Sequence, residues 1–223
     1  TLETGEMVRT TVRGEFHQTG DYPKVGDWVT VALVTESEEA QGVIETIEPR
    51  QSVITRLDQE TRQPQVLVAN VDLVCIVMGL DGDFNVKRLE RYLLLARQSM
   101  ISPVILLNKA DLTKHLSEQQ AAVTAVAASV PVHVVTAGKG EGLDVLQQYL
   151  TPDTTAVLLG SSGAGKSTIT NWLLGRSAQA TNAVRADDSR GRHTTTTRQL
   201  FALPGGAYLI DTPGMRELGM TET

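Results

Sequence analysis

Nine consecutive residues, Gly160-Ser161-Ser162-Gly163-Ala164-Gly165-Lys166-Ser167-Thr168, have the types and spacing of a loop that wraps a chain of phosphates. Glycines let the backbone curl until successive N–H groups point at one anion. A helix starting just behind them adds its partial positive charge. In that arrangement Lys166 reaches the outer phosphates, as a binding and catalytic group, and the Ser167 hydroxyl is a magnesium ligand. The competing explanation is a flexible Gly/Ser turn capped by serine. The flanks decide against it. An apolar run (Ala156, Val157, Leu158, Leu159) precedes the loop and a helical pattern (Ile169-Thr170-Asn171-Trp172-Leu173-Leu174) follows it, which is the order such a loop requires. The loop alone does not name the nucleotide.

A second stretch reads a base. Asn108-Lys109-Ala110-Asp111 follows the apolar run Pro103-Val104-Ile105-Leu106-Leu107, at the strand end where α/β sheets bind ligands. The Asp111 carboxylate can accept from both N1–H and the exocyclic N2 of guanine, whereas adenine offers no donor there. An acceptor left unpaired in a buried site costs about 1–3 kcal/mol, so the pairing discriminates. Asn108 can bond the other side of the base, the Lys109 stem can cover its face, and Ala110 completes the turn. By itself an N-x-x-D after a strand is also a common turn and helix cap. Thr136-Ala137-Gly138 is a further candidate for the base loop.

The third group lies near the end of the chain. Asp211-Thr212-Pro213-Gly214 follows an apolar segment; a carboxylate there can hold magnesium through water, and the Gly214 N–H can sense a γ-phosphate. The other reading is an ordinary proline turn. Between the phosphate loop and this motif, residues 177–197 are long and polar and end in Arg190-Gly191-Arg192-His193-Thr194-Thr195-Thr196-Thr197. A loop that orders around a nucleotide must give a hydroxyl to the metal, so Thr194 or Thr195 is the candidate, with Thr195 preferred. Arg176, Arg185, Arg190, Arg192 and Arg198 against Asp187 and Asp188 leave residues 176–198 at +3 in an acidic protein. Contact with RNA phosphates when nucleotide orders the segment is expected from that charge.

The elements that must position these residues divide in two. Residues 1–57 alternate in short apolar and polar segments broken by turns: 8–16, a turn at Gly20-Asp21-Tyr22-Pro23, strands over 26–34 and 42–47, and a polar loop at 37–41. That spacing predicts a small all-β barrel of the OB-fold kind. Five basic residues against ten acidic ones give this part a net charge of −5, so docking is favoured over a general RNA clamp. Residues 58–70 read as a linker. From 71 onward strands (71–78, 103–107, 132–135, 156–159) alternate with helices (around Leu89, Tyr92, Leu93 and Ala96; 116–128; 142–150; after 166), and 198–203 with 207–210 form a hairpin. This is a doubly wound α/β domain spanning 71–223.

Composition fits. The 223 residues are 41% apolar and 21% charged with a net charge of −6, which excludes a uniformly basic nucleic-acid binder. No apolar run reaches the ~18 residues of a membrane span, and no signal peptide opens the chain. Cys75 is alone, an inert core cysteine expected in a reducing cytoplasm. The chain starts at Thr1 and stops soon after the D-T-P-G motif, and both ends read as trimmed.

The motifs stand in an unusual order. Ras-like GTPases run phosphate loop, switch threonine, D-x-x-G, then N-K-x-D; here N-K-A-D comes first, then T-A-G, the phosphate loop, the threonine run and D-T-P-G. A circular permutation moves the termini without moving the strands. With the N-terminal barrel and the G-R-H-T-T-T stretch, the chain resembles the bacterial small-subunit-dependent GTPase A family (RsgA/YjeQ type) over essentially its whole length. The resemblance implies a circularly permuted Ras-like P-loop GTPase domain behind an OB-fold barrel. It implies GTP and GDP as ligands with Mg²⁺, slow GTP hydrolysis stimulated by the 30S subunit, a role late in 30S maturation, contact with 16S rRNA, a cytoplasmic location and no membrane partner. A monomer is expected. The family also carries a C-terminal zinc domain, and residues 1–223 contain no such Cys and His ligands.

Hydrolysis needs a water aligned on the γ-phosphate, which Ras-like enzymes orient with a glutamine just after D-x-x-G. Met215 stands there and cannot do so. Intrinsic turnover should therefore be slow, and His193, just before the threonine candidates, is the group expected to complete the site, a role the resemblance supports. A solvated loop histidine is the plainer reading of His193. His17, His115 and His133 have no comparable context. Two rival functions remain: a non-hydrolysing GTP-sensing adaptor, which Met215 would suit, and a P-loop ATPase or kinase, which N-K-A-D opposes.

Overall fold

The computed structural model describes residues 2–34, 41–57, 62–175 and 199–211. In the N-terminal part, β1 (Arg9–Val12) pairs in parallel with β3 (Gln41–Ile47), and β2 (Val29–Val34) pairs antiparallel on the other side of β3. The alternation over 8–16 breaks at Gly14, where a six-residue helix, α1 (Gly14–Thr19), begins with no buried residue and ends on Gly20. Arg50 locks the following turn: its guanidinium donates to both oxygens of Asp27 at 2.8 Å and to Asp21 at 3.0 Å. These carboxylates raise the Arg50 pKa further, so the lock stays charged.

Residues 58–70, read from the sequence as a linker, contain a strand. β4 (Val53–Leu57) and β5 (Pro64–Ala69) form an antiparallel hairpin, and Ile54, Leu67 and Val68 are buried against the large domain. The apolar run 66–69 adjoins the longer run at 71–78, which masks the boundary between them. Asn70 and Asp72 fasten the junction. The Asn70 carboxamide donates to the Gly26 carbonyl at 2.9 Å and accepts from Gln51 N–H, while Asp72 accepts from the Thr155 N–H at 2.8 Å.

The large domain is built on one six-stranded sheet in the order β10-β11-β9-β6-β7-β8. Its strands are β6 (Leu73–Gly79), β7 (Ser102–Asn108), β8 (Val132–Val134), β9 (Thr155–Leu159), β10 (Gln199–Ala202) and β11 (Tyr208–Asp211). All neighbours are parallel except the β10–β11 hairpin. Every residue of β6 is buried, as a central parallel strand requires. Alternate side chains then feed two cores. Val74, Ile76 and Met78 pack with α2 (Val86–Gln98) and α3 (Leu116–Ala127) on one face; Leu73, Cys75 and Val77 pack with α4 (Lys166–Gly175) and the 3₁₀ turn Leu143–Gln148 on the other. α2 forms where its sequence says it should. Asn85 caps it by accepting from Arg88 N–H at 2.9 Å, and Leu89, Tyr92, Leu93 and Ala96 are its buried stripe. The large domain is thus a mostly parallel α/β sheet with helices on both faces, as the alternation of strands and helices from residue 71 predicts. Among the described residues no helix is long and apolar enough to cross a membrane.

Candidate nucleotide site

The carboxyl ends of β6 and β7 lie level, with Gly79 in register with Asn108, and the parallel β9 ends beside Ile76, one turn of chain short of them. Each strand therefore delivers its following loop to one edge of the sheet, the edge at which parallel α/β sheets bind ligands. The loop after β9 is the glycine-rich stretch. A side chain at Gly160 would lie 2.3 Å from the Val77 carbonyl, so only glycine lets the chain turn this close to β6. Lys166 opens α4, and its ammonium donates to the carbonyls of Gly160 and Ser161 at 2.7 and 2.6 Å, folded back over the loop. Ala164 is buried beneath, whereas Ser162, Gly163, Ser167 and Thr168 are exposed on the open side.

Asn108 ends β7 and is only 2% exposed. Its carboxamide N–H donates to the Ala164 carbonyl at 2.8 Å, and its oxygen accepts from the Ala137 N–H at 2.9 Å. The sequence predicts a bond from Asn108 to a base; in the structure its side chain is bonded to the backbones of the two loops on either side. Gly165 is the residue that makes room, with φ +106° and a Cβ position 2.1 Å from Asn108 Nδ2. Thr136 is buried, and its backbone exchanges two hydrogen bonds with Glu141, which closes the 136–141 turn. Trp172 of α4 packs under Gly140 of that turn, where a Cβ would lie 2.9 Å from the indole nitrogen.

Lys109 takes a left-handed conformation, and Asp111 lies in the 3₁₀ turn Ala110–Leu112 that follows. The Ala110 N–H donates to the Val135 carbonyl at 3.3 Å, which fixes that turn against β8. The Asp111 carboxylate is partly exposed and pairs with Lys139 at 3.1 Å. Lys109 reaches Asp81 at 2.5 Å, and this bond holds the Asp81 carboxyl below its ordinary pKa. Ser161 donates to Asp83. Asp81, Asp83 and Lys139 are residues the sequence reading did not single out. Their partners lie 28 or 78 positions away, and no local pattern announces such contacts.

Asp211 closes β11, whose Ile210 is in register with Val157, so its backbone comes to the same sheet edge one strand from the phosphate loop. The side chain of Asp211, and His193, Thr195, Gly214, Met215 and the arginines of 176–198, lie outside the described residues. The exposed Ser167 hydroxyl at the start of α4 and an aspartate at the end of β11 are hard oxygen donors, a set that fits magnesium. Among the described residues no group of three or more His, Cys, Asp or Glu is placed to hold a metal by itself. The other histidines have structural or surface partners: His133 meets the Tyr149 hydroxyl at 2.7 Å and is shifted to lower pKa by burial, His17 meets Tyr22, and His115 meets Glu118.

Residues 47–221 match a family described as RsgA GTPase. The small ribosomal subunit biogenesis GTPase RsgA 2 of Lactiplantibacillus plantarum is 49% identical over 197 residues, covering 88% of this chain and 55% of that protein. The RsgA of Methanosarcina acetivorans is 41% identical over 223 residues, covering all of this chain and 60% of its own. The chain thus spans little more than half the length of these curated relatives. Among solved structures, YjeQ from Thermotoga maritima superposes with a TM-score of 0.71 at 27% identity, covering 97% of this chain and 69% of its own. YloQ, a circularly permuted GTPase, gives 0.63 at 24% identity over 96% of this chain and 64% of its own.

Proposed function

The chain belongs to the RsgA GTPase family, and on that premise we propose that it binds GTP and GDP, hydrolyses GTP, and acts in late maturation of the small ribosomal subunit. The observation that carries the nucleotide reading is the pair of bonds from Asn108 to Ala164 and Ala137, which draws the phosphate loop and the base loop together over one sheet. Residues 160–168 would cradle the phosphates, with Lys166 turning from its own loop carbonyls to the outer phosphates. Asp111, Lys109, Ala110 and the 136–137 backbone would hold the guanine, and Gly214 would meet the γ-phosphate.

Ser167, Thr195 and Asp211 would hold Mg²⁺, which when bound neutralises charge between the outer phosphates. His193 orients the attacking water. Its place between the arginines and the threonine candidates of the 177–197 stretch suits a slow enzyme stimulated by the 30S subunit and in contact with 16S rRNA. The barrel at 1–57 serves as a docking module, and the protein works in the cytoplasm as a monomer. Phosphate release from GTP tests this: it should be slow alone, rise with added 30S subunits, and not rise with 50S. Equal rates in all three would contradict the ribosome role, and no release at all would leave a GTP-sensing adaptor.

A further inference from the structure

The loop between β6 and α2, residues 80–84, belongs to neither recognisable motif, yet its two carboxylates hold one residue of each. Asp81 accepts from the Lys109 ammonium at 2.5 Å with one oxygen and from the Asp83 N–H at 3.2 Å with the other. Asp83 accepts from the Ser161 hydroxyl and pairs with the Arg88 guanidinium at 2.8 Å, and Arg88 also donates to the Asp83 carbonyl. The loop backbone is anchored as well. The Leu80 N–H donates to the Asn108 carbonyl at 2.8 Å, and the Leu80 carbonyl accepts from Gln119 of α3 at 3.2 Å. A side chain at Gly79 would fall 2.6 Å from the Asp81 carboxylate. The loop is thus tied to β7, α2, α3 and the phosphate loop at once.

We propose that Asp81 and Asp83 are positioning residues of the nucleotide site: Asp81 sets Lys109 in the base loop, Asp83 sets Ser161 in the phosphate loop, and the segment joining them couples the two ends by a route separate from the Asn108 side chain. This rests on the guanine-nucleotide reading above. Two carboxylates beside a polyphosphate would by themselves weaken binding by repulsion. Here each is matched by a cation within 2.8 Å, Lys109 for Asp81 and Arg88 for Asp83, so charge is locally balanced and geometry is what they contribute. That fixes the sign of the effect: removing either carboxylate loosens the loop it holds.

The test is the dissociation rate of a fluorescent GDP from the protein and its variants, with melting temperatures measured alongside. Asp83→Ala and Ser161→Ala should each release GDP about five-fold faster, the worth of one hydrogen bond. The double variant should be no faster than the faster single, since both remove the same contact. Asp83→Asn, whose carboxamide oxygen still accepts from Ser161, should stay within about two-fold of wild type. Asp81→Ala and Lys109→Ala should show the same non-additivity. Slower release from Asp83→Ala, or additive effects in either pair, would overturn the proposal. Should Asp83→Ala not fold, an unchanged rate in Ser161→Ala overturns it equally. Wild-type protein that binds GDP while all variants release it normally defeats this inference alone; wild-type protein that binds no GDP defeats the guanine reading and this inference with it.

Discussion

Asn108 donates to the carbonyl of Ala164 across 56 residues of sequence at 2.8 Å, and the same carboxamide accepts from Ala137. A single side chain thereby sets the distance between the loop suited to phosphates and the loops suited to a purine. Because Asn108 is buried, neither bond is shared with solvent.

Asn108→Ala removes both bonds and leaves a buried carbonyl and a buried N–H without partners. Each is worth about 1 kcal/mol or more, so GDP affinity should fall at least ten-fold and stability by about 2 kcal/mol. Fluorescent GDP titration and urea unfolding read the two effects. Affinity within a factor of two of wild type would show that the bonds do not organise the site.

The Asp81–Lys109 pair carries a pH signature. The lysine bond depresses the Asp81 carboxyl in the folded state, so its stabilisation is present above the unfolded carboxylate value of about 3.9 and is lost as pH falls through the lower folded value. The pair is partly solvated, which limits its worth to under about 1 kcal/mol. Wild type should be slightly more stable than Asp81→Asn at pH 6, with the difference shrinking as pH falls through the lowered Asp81 value. A difference that persists in acid would point to packing instead.

Cys75 sits 1% exposed in the central strand, and burial pushes its thiol up to about 12. It should be silent to an aromatic disulfide reagent at pH 8 in native protein and react fully on unfolding in guanidinium. Rapid native reaction would mean that β6 opens far below the global unfolding free energy.

His193→Ala should leave GTP affinity within about two-fold of wild type while lowering ribosome-stimulated turnover by about 10²-fold or more, the range of a positioned general catalyst. Stimulated turnover at the wild-type level would remove His193 from the chemistry.

Much of this architecture is legible in the residues because it is local. The apolar run ending at Asn108, the glycine spacing of 160–165 and the Leu89, Tyr92, Leu93, Ala96 stripe each announce an element without reference to anything distant. The alternation of buried side chains between two faces of β6 follows from strand geometry alone. What escaped was non-local or weakly patterned. The helix at 14–19 buries nothing, so it has no periodicity to detect. The strand at 64–69 opens on a proline and its apolar half adjoins a stronger run. Asp81, Asp83 and Lys139 gain their roles only from partners that the fold brings to them. Asn108 illustrates the limit. Its position after a strand marks it as part of the site, but only the packed structure gives it two backbone partners.

The most direct test is the nucleotide preference of wild type and Asp111→Asn, by competition with GDP, ADP and xanthosine diphosphate. The carboxylate accepts from the N1–H and N2 of guanine, whereas an asparagine amide offers a donor that suits the 2-oxo group of xanthine. Wild type should prefer GDP over both others by at least ten-fold, and Asp111→Asn should lose that preference and gain affinity for the xanthine nucleotide. An unchanged order of affinities in the variant would mean that Asp111 does not face the base, and that the two loops joined by Asn108 do not share one guanine nucleotide.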